Sequence, residues 1–307
     1  VRRAKSAGAA GEAWLNTLDR RIADLEKQWE ISVGSALTGG THAFVAYADG
    51  KDGGCYVLKI DMPENLGGVF SNGITALRAA DGRGYVKLIA CDLEKKACLL
   101  ERLGKPIGTL SYSVPEQLRI ICSVLKKTWE VPAENAGLPT GADSIAWFRQ
   151  FIGDAWERLN RPCSPQVVSK AFSYLEAREK AMNPAEFVLV HGDAHGNNTL
   201  QDLSEENAFK LVDPDGIFYE KAYDLGVLMR EWTEEYHEAP LRKGLERCRY
   251  LHMLTCVPAQ AVWEWGYLQT VSTAFVLLQI GQEKQGRAML DVAEAWCLSA
   301  AGDCGGR

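Results

Sequence analysis

One stretch of this chain brings together a carboxylate, an amide and a second carboxylate. In Phe187-Val-Leu-Val-His191-Gly-Asp193-Ala-His195-Gly-Asn197-Asn198 an apolar run delivers Asp193 and, five residues later, Asn198. A second run, Phe209-Lys-Leu-Val, delivers Asp213 ahead of Pro214-Asp215-Gly216. Short apolar runs bounded by such turns read as buried strands. Asp193 can accept a hydroxyl proton, while Asn198 and Asp213 offer a neutral and an anionic oxygen to a hard cation such as Mg²⁺. That combination suits phosphoryl transfer, in which the protein works by positioning and charge neutralisation. Two other readings stand beside it. Asp, Asn and Gly also serve simply to make turns, although two such halves, each following a strand, weigh against that. Alternatively, His191, Asp193 and His195 are spaced by two, could share one face of an extended strand and could ligate a transition metal. The remaining histidines, His42, His237 and His252, are remote in sequence and add nothing to that set.

The elements that must position these groups fall into two sets. Residues 10–29 carry Trp14, Leu18, Ile22, Leu25 and Trp29 at helical spacing, which predicts an amphipathic helix. The period then changes. Residues 32–38, 42–48 and 54–60 read as strands joined by Gly39-Gly40 and by the turn 49–54. Residues 70–80 read as a helix stopped by Asp81-Gly82-Arg83-Gly84, and 85–91 and 97–101 as two more strands. Beyond Gly104-Lys105-Pro106 the patterns turn helical, at 115–130, 144–159, 165–182, 222–238, 241–254, 259–282 and 283–298, interrupted by the chemical segment 187–216. The expected fold is therefore α+β and bilobal. A small antiparallel-sheet lobe over 1–103 precedes a mostly helical lobe over 104–307, with a ligand cleft between them.

Composition narrows the function. The 307 residues are 47% hydrophobic and 24% charged, enough for two lobes. A net charge of -6 speaks against nucleic acid as the partner and is compatible with a cationic small molecule. No run is long and apolar enough to span a membrane, and Val1-Arg-Arg-Ala-Lys-Ser lacks the core of a signal peptide. The nine cysteines include no Cys-x-x-Cys and sit mainly in apolar runs. They read as buried thiols in a reducing compartment, so the expected location is the cytoplasm. The sequence assigns no oligomeric state.

Several motifs together resemble the aminoglycoside phosphotransferase branch of the protein-kinase-like fold, and within it the streptomycin 6-kinase and hydroxyurea phosphotransferase group. They are His191-Gly-Asp193-Ala-His195-Gly-Asn197-Asn198, Val212-Asp213-Pro214-Asp215-Gly216 and Tyr223-Asp224-Leu225-Gly226-Val227-Leu228-Met229-Arg230-Glu231. Leu77-Arg78-x-x-Asp81-Gly82-x-Gly84, Leu99-Leu100-Glu101-Arg102-Leu103 and Trp263-x-Trp265-Gly266 with Val271-Ser272-Thr273 extend the likeness over about residues 30–290. The resemblance implies ATP or GTP as phosphoryl donor with Mg²⁺. Asp193 would be the catalytic base, Asn198 and Asp213 the metal ligands, His191 structural, and Asp224 a hydrogen-bond acceptor for the catalytic loop or merely a helix N-terminal acid.

On the nucleotide side, the resemblance makes Lys59, in Cys55-Tyr-Val-Leu-Lys-Ile, the phosphate-pairing lysine; an edge-strand lysine is the alternative. Thr38-Gly39-Gly40 would turn over the phosphates, and the hinge Glu101-Arg102-Leu103 would bond adenine through its backbone. One position departs from the family. Gly73 stands where the next helix should supply a glutamate to pair with Lys59, leaving Glu64 as a substitute or a pseudokinase as an alternative function. On the acceptor side, Asp215, Glu231, Glu235, Trp265 and Gln269 are the candidate substrate contacts. A cationic aminocyclitol such as streptomycin, or hydroxyurea, is the expected acceptor; a neutral sugar or amino sugar is the alternative. The acidic helix 231–238 would attract a cation or would be only a solvated face. Trp263 and Trp265 cannot share a helical face, so at most one reaches the pocket. A glutamate was the residue to expect where Gln269 stands.

Overall fold

The computed structural model describes residues 4, 8–37, 43–63, 70–133 and 136–298. Helix α1 (Gly8–Trp29) leads into a sheet of β1 (Ile31–Ala36), β2 (Ala43–Gly50), β3 (Cys55–Asp61), β4 (Leu88–Asp92) and β5 (Ala97–Glu101), with α2 (Phe70–Ala80) between β3 and β4. The strand order is β1-β2-β3-β5-β4, antiparallel at every pairing. Its alternation sorts side chains to two faces, because successive residues on a strand point oppositely. Leu58, Ile60, Ala97 and Leu99 meet Trp14, Leu18 and Leu25 of α1 in a small separate core. Cys98 and Leu100, the intervening residues, join the main core together with Ile74 and Leu77 of α2. Lys59 thus lies on the face opposite the α1 core.

The helical part contains α3 (Val114–Trp129), α4 (Gly141–Arg158), α5 (Pro165–Lys180), α6 (Ala222–Arg230), α7 (Pro240–Thr255), α8 (Ala259–Gln279) and α9 (Glu283–Cys297). Reciprocal capping boxes start α3 (Ser113 with Glu116) and α4 (Thr140 with Asp143), satisfying backbone N–H groups that the first turn leaves unpaired. Helix α8 is apolar around almost its whole circumference, as a helix enclosed on all sides must be. It packs against α4, α5, α6, α7 and α9. A Cβ on Gly226 would come within 2.9 Å of Trp265, and one on Gly266 within 2.7 Å of the Met229 Cβ. These two glycines let α6 and α8 approach closely and bring Arg230 beside Gln269.

Segment 222–238 is not one helix. It ends as an α-helix at Arg230, Trp232 adopts a left-handed backbone (φ 52), and Thr233–Tyr236 form a short 3-10 turn. Tyr236 and the buried Arg247 explain the break. The Tyr236 hydroxyl bonds the Met229 carbonyl at 2.6 Å, and Arg247 bonds the carbonyl of Glu231. Carbonyls at the end of α6 are thereby satisfied by side chains without another helical turn. Among the described residues no helix is long and apolar enough to cross a membrane, and none of the eight described cysteines forms a disulfide.

Candidate active site

Two short ladders hold the chemical loops. Strand β6 (Val188–Val190) pairs with β9 (Ile217–Tyr219), and β7 (Thr199–Gln201) pairs with β8 (Phe209–Leu211). The loops 191–198 and 212–216 therefore leave neighbouring strand ends. They are also stitched together: Asp215 N donates to the His191 carbonyl at 2.8 Å, and Val212 N to the Asn198 carbonyl at 2.9 Å.

His191 is fully buried and spends both ring nitrogens on this framework. Nε2 donates to the Val212 carbonyl at 2.8 Å, Nδ1 accepts from Asp193 N at 3.1 Å, and the ring stacks on Tyr85. Burial pushes its pKa down to about 4, against the pull of Asp193, so the ring is neutral at physiological pH. With both nitrogens engaged it cannot ligate a metal, which removes the transition-metal reading; no cluster of three metal-binding side chains occurs among the described residues. Asp224, also fully buried, accepts from His191 N (3.1 Å), Gly192 N (2.8 Å) and Trp129 Nε1 (2.8 Å). It is a brace for the loop, and burial pushes its pKa up to about 6 in spite of these bonds.

Asp193 is held from three directions. Arg230 Nη2 donates to Oδ1, His195 Nε2 lies 3.3 Å from Oδ2, and Asn198 Nδ2 donates to Oδ2 at 3.3 Å and to the backbone carbonyl at 3.0 Å. Burial alone would raise its pKa, but the His195 bond and the Arg230 charge outweigh it and hold the carboxyl well below the usual range. Asp193 is thus an ionised acceptor. His195 is correspondingly raised: burial opposes its charge, and Asp193 more than compensates. Asn198, having turned its amide N–H toward Asp193, keeps its carbonyl oxygen as the atom it can offer a cation. Asp213, at a left-handed backbone position (φ 57), offers carboxylate oxygens on the other loop.

Lys59 crosses to this site from the sheet. Its Nζ lies 2.8 Å from Asp213 Oδ1 and 3.2 Å from Asp61 Oδ1. Burial would depress the lysine, yet these two carboxylates hold it firmly protonated, well above its usual range. Strand β5 ends at the expected hinge. The Glu101 side chain points away, accepting from Lys87 N (2.6 Å) and Lys210 Nζ (2.7 Å), so only backbone remains there for a base. Arg102 ties the hinge to β2 through Asp49 (2.9 Å) and lies over the Tyr47 ring. Leu103 is buried. Thr38, Gly39, Gly40 and Glu64 lie outside the described residues.

The oxygen-rich donor pair of Asp213 and Asn198, next to a cationic Lys59, is chemically matched to a divalent cation carrying phosphates. The family comparison decides what kind of protein this is, because the aminoglycoside/hydroxyurea antibiotic resistance kinase family matches residues 28–275. The chain belongs to that family. It is a phosphotransferase, a kinase acting on a hydroxyl group. It is 26% identical over 223 residues to streptomycin 6-kinase of Streptomyces glaucescens, covering 72% of this chain and 70% of that one. Hydroxyurea phosphotransferase of Kitasatospora aureofaciens is 27% identical over 231 residues, covering 71% and 62%. Among solved structures, ADP-bound aminoglycoside phosphotransferase APH(2'')-Ib superposes with a TM-score of 0.56 at 15% identity, over 90% of this chain and 98% of its own. Choline kinase LicA of Streptococcus pneumoniae gives 0.59 at 14%, over 94% and 100%. These likenesses establish the protein-kinase-like fold for this kinase.

The acceptor side departs from the sequence expectation. Trp265 is not a pocket residue: it is wholly buried, donates to Glu220 at 2.7 Å and packs edge-on against Phe148, Tyr219 and Tyr223. Trp263 is buried as well, against Trp296. Helix α8 is surrounded, so neither face was free to turn toward a ligand. Gln269 is 3% exposed and accepts from Arg230 Nη1 at 2.8 Å, where Thr273 accepts too at 3.0 Å. It orients Arg230. Glu235 is neutralised by Arg247 at 2.5 Å, an ion pair that stabilises the break after α6. Glu231 lies 3.7 Å from Arg230 Nε, and its charge also reaches His195. Asp215 is exposed to solvent, yet the protein packed around its carboxyl and then the Asp193 charge push its pKa up to about 7. Sequence reasoning missed Asp61 and the roles of Arg230 and His195. For Asp61 the signal was present, since Lys59-Ile60-Asp61 alternates on a strand.

Proposed function

We propose that this kinase transfers a phosphoryl group from Mg·ATP to a hydroxyl of a cationic, antibiotic-like small molecule, with streptomycin-type aminocyclitols first and hydroxyurea next. The observation that carries the reading is the ion pair between Lys59 and Asp213, residues 154 positions apart in sequence and only 2.8 Å apart in space. It joins the sheet to the oxygen-bearing loops at one point. Asp213 and Asn198 would hold the cation, and Lys59 would face the phosphates as a compact ammonium with three donors. When bound, Mg²⁺ neutralises charge on the phosphate oxygens. Asp193, ionised and aimed by Arg230 and His195, would accept the acceptor hydroxyl proton. Asp215 and Glu231 would remain as the carboxylates available to a cation, since Glu235 is already paired and Gln269 is neutral. Three of the eight described cysteines are buried and two, Cys55 and Cys256, are exposed, with no disulfide among them, which supports a reducing, cytoplasmic setting.

A second reading, a neutral sugar or amino sugar as acceptor, is favoured by the Arg230 guanidinium within the acceptor side and by Gln269 where a carboxylate was expected. The test is product mass after incubation with ATP and Mg²⁺. A gain of one phosphoryl group on streptomycin or hydroxyurea is the expected result. A gain only on neutral sugars would discard the cationic acceptor and keep the kinase. Asp213→Asn and Asn198→Ala should weaken Mg·ATP binding and turnover together; activity sustained by zinc in place of magnesium would overturn the assignment of these ligands.

A further inference from the structure

The nucleotide site contains an acid that the family pattern does not call for. We infer that Asp61, on the same strand as Lys59, is the residue that anchors and positions this lysine for the phosphates, in place of the glutamate that helix α2 lacks. The inference rests on the kinase reading above and concerns how this chain completes it.

The geometry follows from the strand. Residues two apart project to the same face, so Lys59 and Asp61 point together to the side opposite the Leu58 and Ile60 core. Their backbone is held in the middle of the sheet: Lys59 is opposite Val45 on β2 and Cys98 on β5, and Asp61 is opposite Ala43 and donates its N–H to the Lys96 carbonyl at 2.9 Å. The Asp61 side chain is almost completely covered, and Lys59 Nζ stands 3.2 Å from Oδ1. A covered carboxylate is tolerated when it is paired, and its pair here is Lys59.

The helix could not readily supply that acid. A Cβ on Gly73 would lie 3.0 Å from the Pro214 carbonyl oxygen, and one on Gly216 would lie 2.4 Å from the Asn72 carbonyl oxygen. The first turn of α2 therefore rests directly on the loop that carries Asp213, at a separation that leaves little space for a longer side chain at 73. The same contact packs α2 firmly against the site. In this arrangement the lysine and its acid belong to one rigid strand, so the pair is assembled independently of where α2 sits.

Asp61 also has a role that Asp213 cannot fill. Asp213 is the residue that would hold the cation, so its grip on Lys59 is shared with that duty. Asp61 acts by its charge on Lys59 first and on Lys96 more weakly, and is not itself one of the oxygens assigned to the cation. Removing it should leave Lys59 free to follow Asp213 and poorly aimed at a nucleotide.

The test is calorimetric titration with Mg²⁺ and a non-hydrolysable ATP analogue, which needs no knowledge of the acceptor. Wild type should bind; if it does not, the kinase reading fails before this inference is reached. Asp61→Asn should weaken binding about tenfold, equivalent to about 1.4 kcal/mol. Asp61→Glu, which keeps the charge, should recover most of that loss. In a Lys59→Met background, Asp61→Asn should have no further effect, because the partner through which it acts is gone. Equal losses in both backgrounds would make Asp61 a merely structural residue, and wild-type affinity in Asp61→Asn would remove it from the nucleotide site; either result overturns the inference. If the asparagine variant does not fold, Asp61→Ser carries the same cycle with the same outcomes.

Discussion

The two sides of the candidate site are built on different principles. The loop side, 191–198 and 212–216, is framed largely by bonds to backbone groups of its own loops, even though Asp193 and Asp213 also take side-chain partners in Arg230 and Lys59. His191 bonds to Val212 and Asp193, Asp224 bonds to His191 and Gly192, and Asp215 N closes on His191. The helical side, from Arg230 to Thr273, is a set of side chains arranged by long-range packing. Arg230 is aimed by Gln269 and Thr273, thirty-nine and forty-three positions away, and Glu235 is taken by Arg247. The comparison teaches that local networks keep the chemistry legible and rigid, whereas a helical wall can redirect any polar side chain into a structural pair.

The largest effect should come from the loop side. Asp193→Ala should reduce turnover by about 10²–10⁴-fold while leaving binding of Mg²⁺ with an ATP analogue close to wild type. On the proposed reading the carboxylate would face the acceptor oxygen, and other residues would meet the nucleotide. Turnover within a few fold of wild type would show that the loop carboxylate is not the base.

An intermediate effect concerns the rigidity of that loop. His191 is neutral in the fold down to about pH 4, whereas an exposed histidine gains its proton near pH 6.5. Its folded-state pKa is depressed, so the unfolded state binds more protons between these values. Its contribution is fully present above about pH 6.5 and is lost as pH falls toward 4, on the order of 3 kcal/mol in all. Asp215 and Asp224, pushed up to about 7 and about 6, act with the opposite sign in this window, because the folded state takes up their protons first. The informative quantity is therefore the difference in unfolding free energy between wild type and His191→Gln, measured from pH 7 to pH 4. That gap should shrink on acidification. A constant gap would mean that the imidazole is not buried in its neutral form.

The smallest effect belongs to the helical side. Glu231→Gln should raise the Michaelis constant for streptomycin a few fold at low salt, and less at high salt, because partly exposed charges are screened over about 10 Å at 0.1 M. An unchanged constant at low salt would leave Glu231 as a partner of Arg230 and His195 alone, and the helical wall without a cation contact of its own.

How far the sequence reached follows the same division. The strand-turn-strand repeats, the helix over 70–80 and the clustered polar residues at 187–216 were all legible, because each depends on periodicity or on contacts within about thirty residues. The phosphotransferase family was legible for the same reason, since its motifs are local. What only the tertiary structure decided were questions of company. Trp265 and Gln269 sit on a helix enclosed by five others, a fact that no periodicity within 259–279 reveals. The helix expected over 222–238 stops at Arg230 because Tyr236 and Arg247 satisfy its last carbonyls, and Arg247 belongs to a later element. Gly73 leaves α2 without an acid for Lys59, and the carboxylates that do lie beside the lysine, Asp61 and Asp213, were placed there only once the sheet had set which face to bury. A sequence states which groups a chain carries and which local shapes they favour; which groups meet is decided by packing, because a buried charge settles on whichever partner the fold brings within reach.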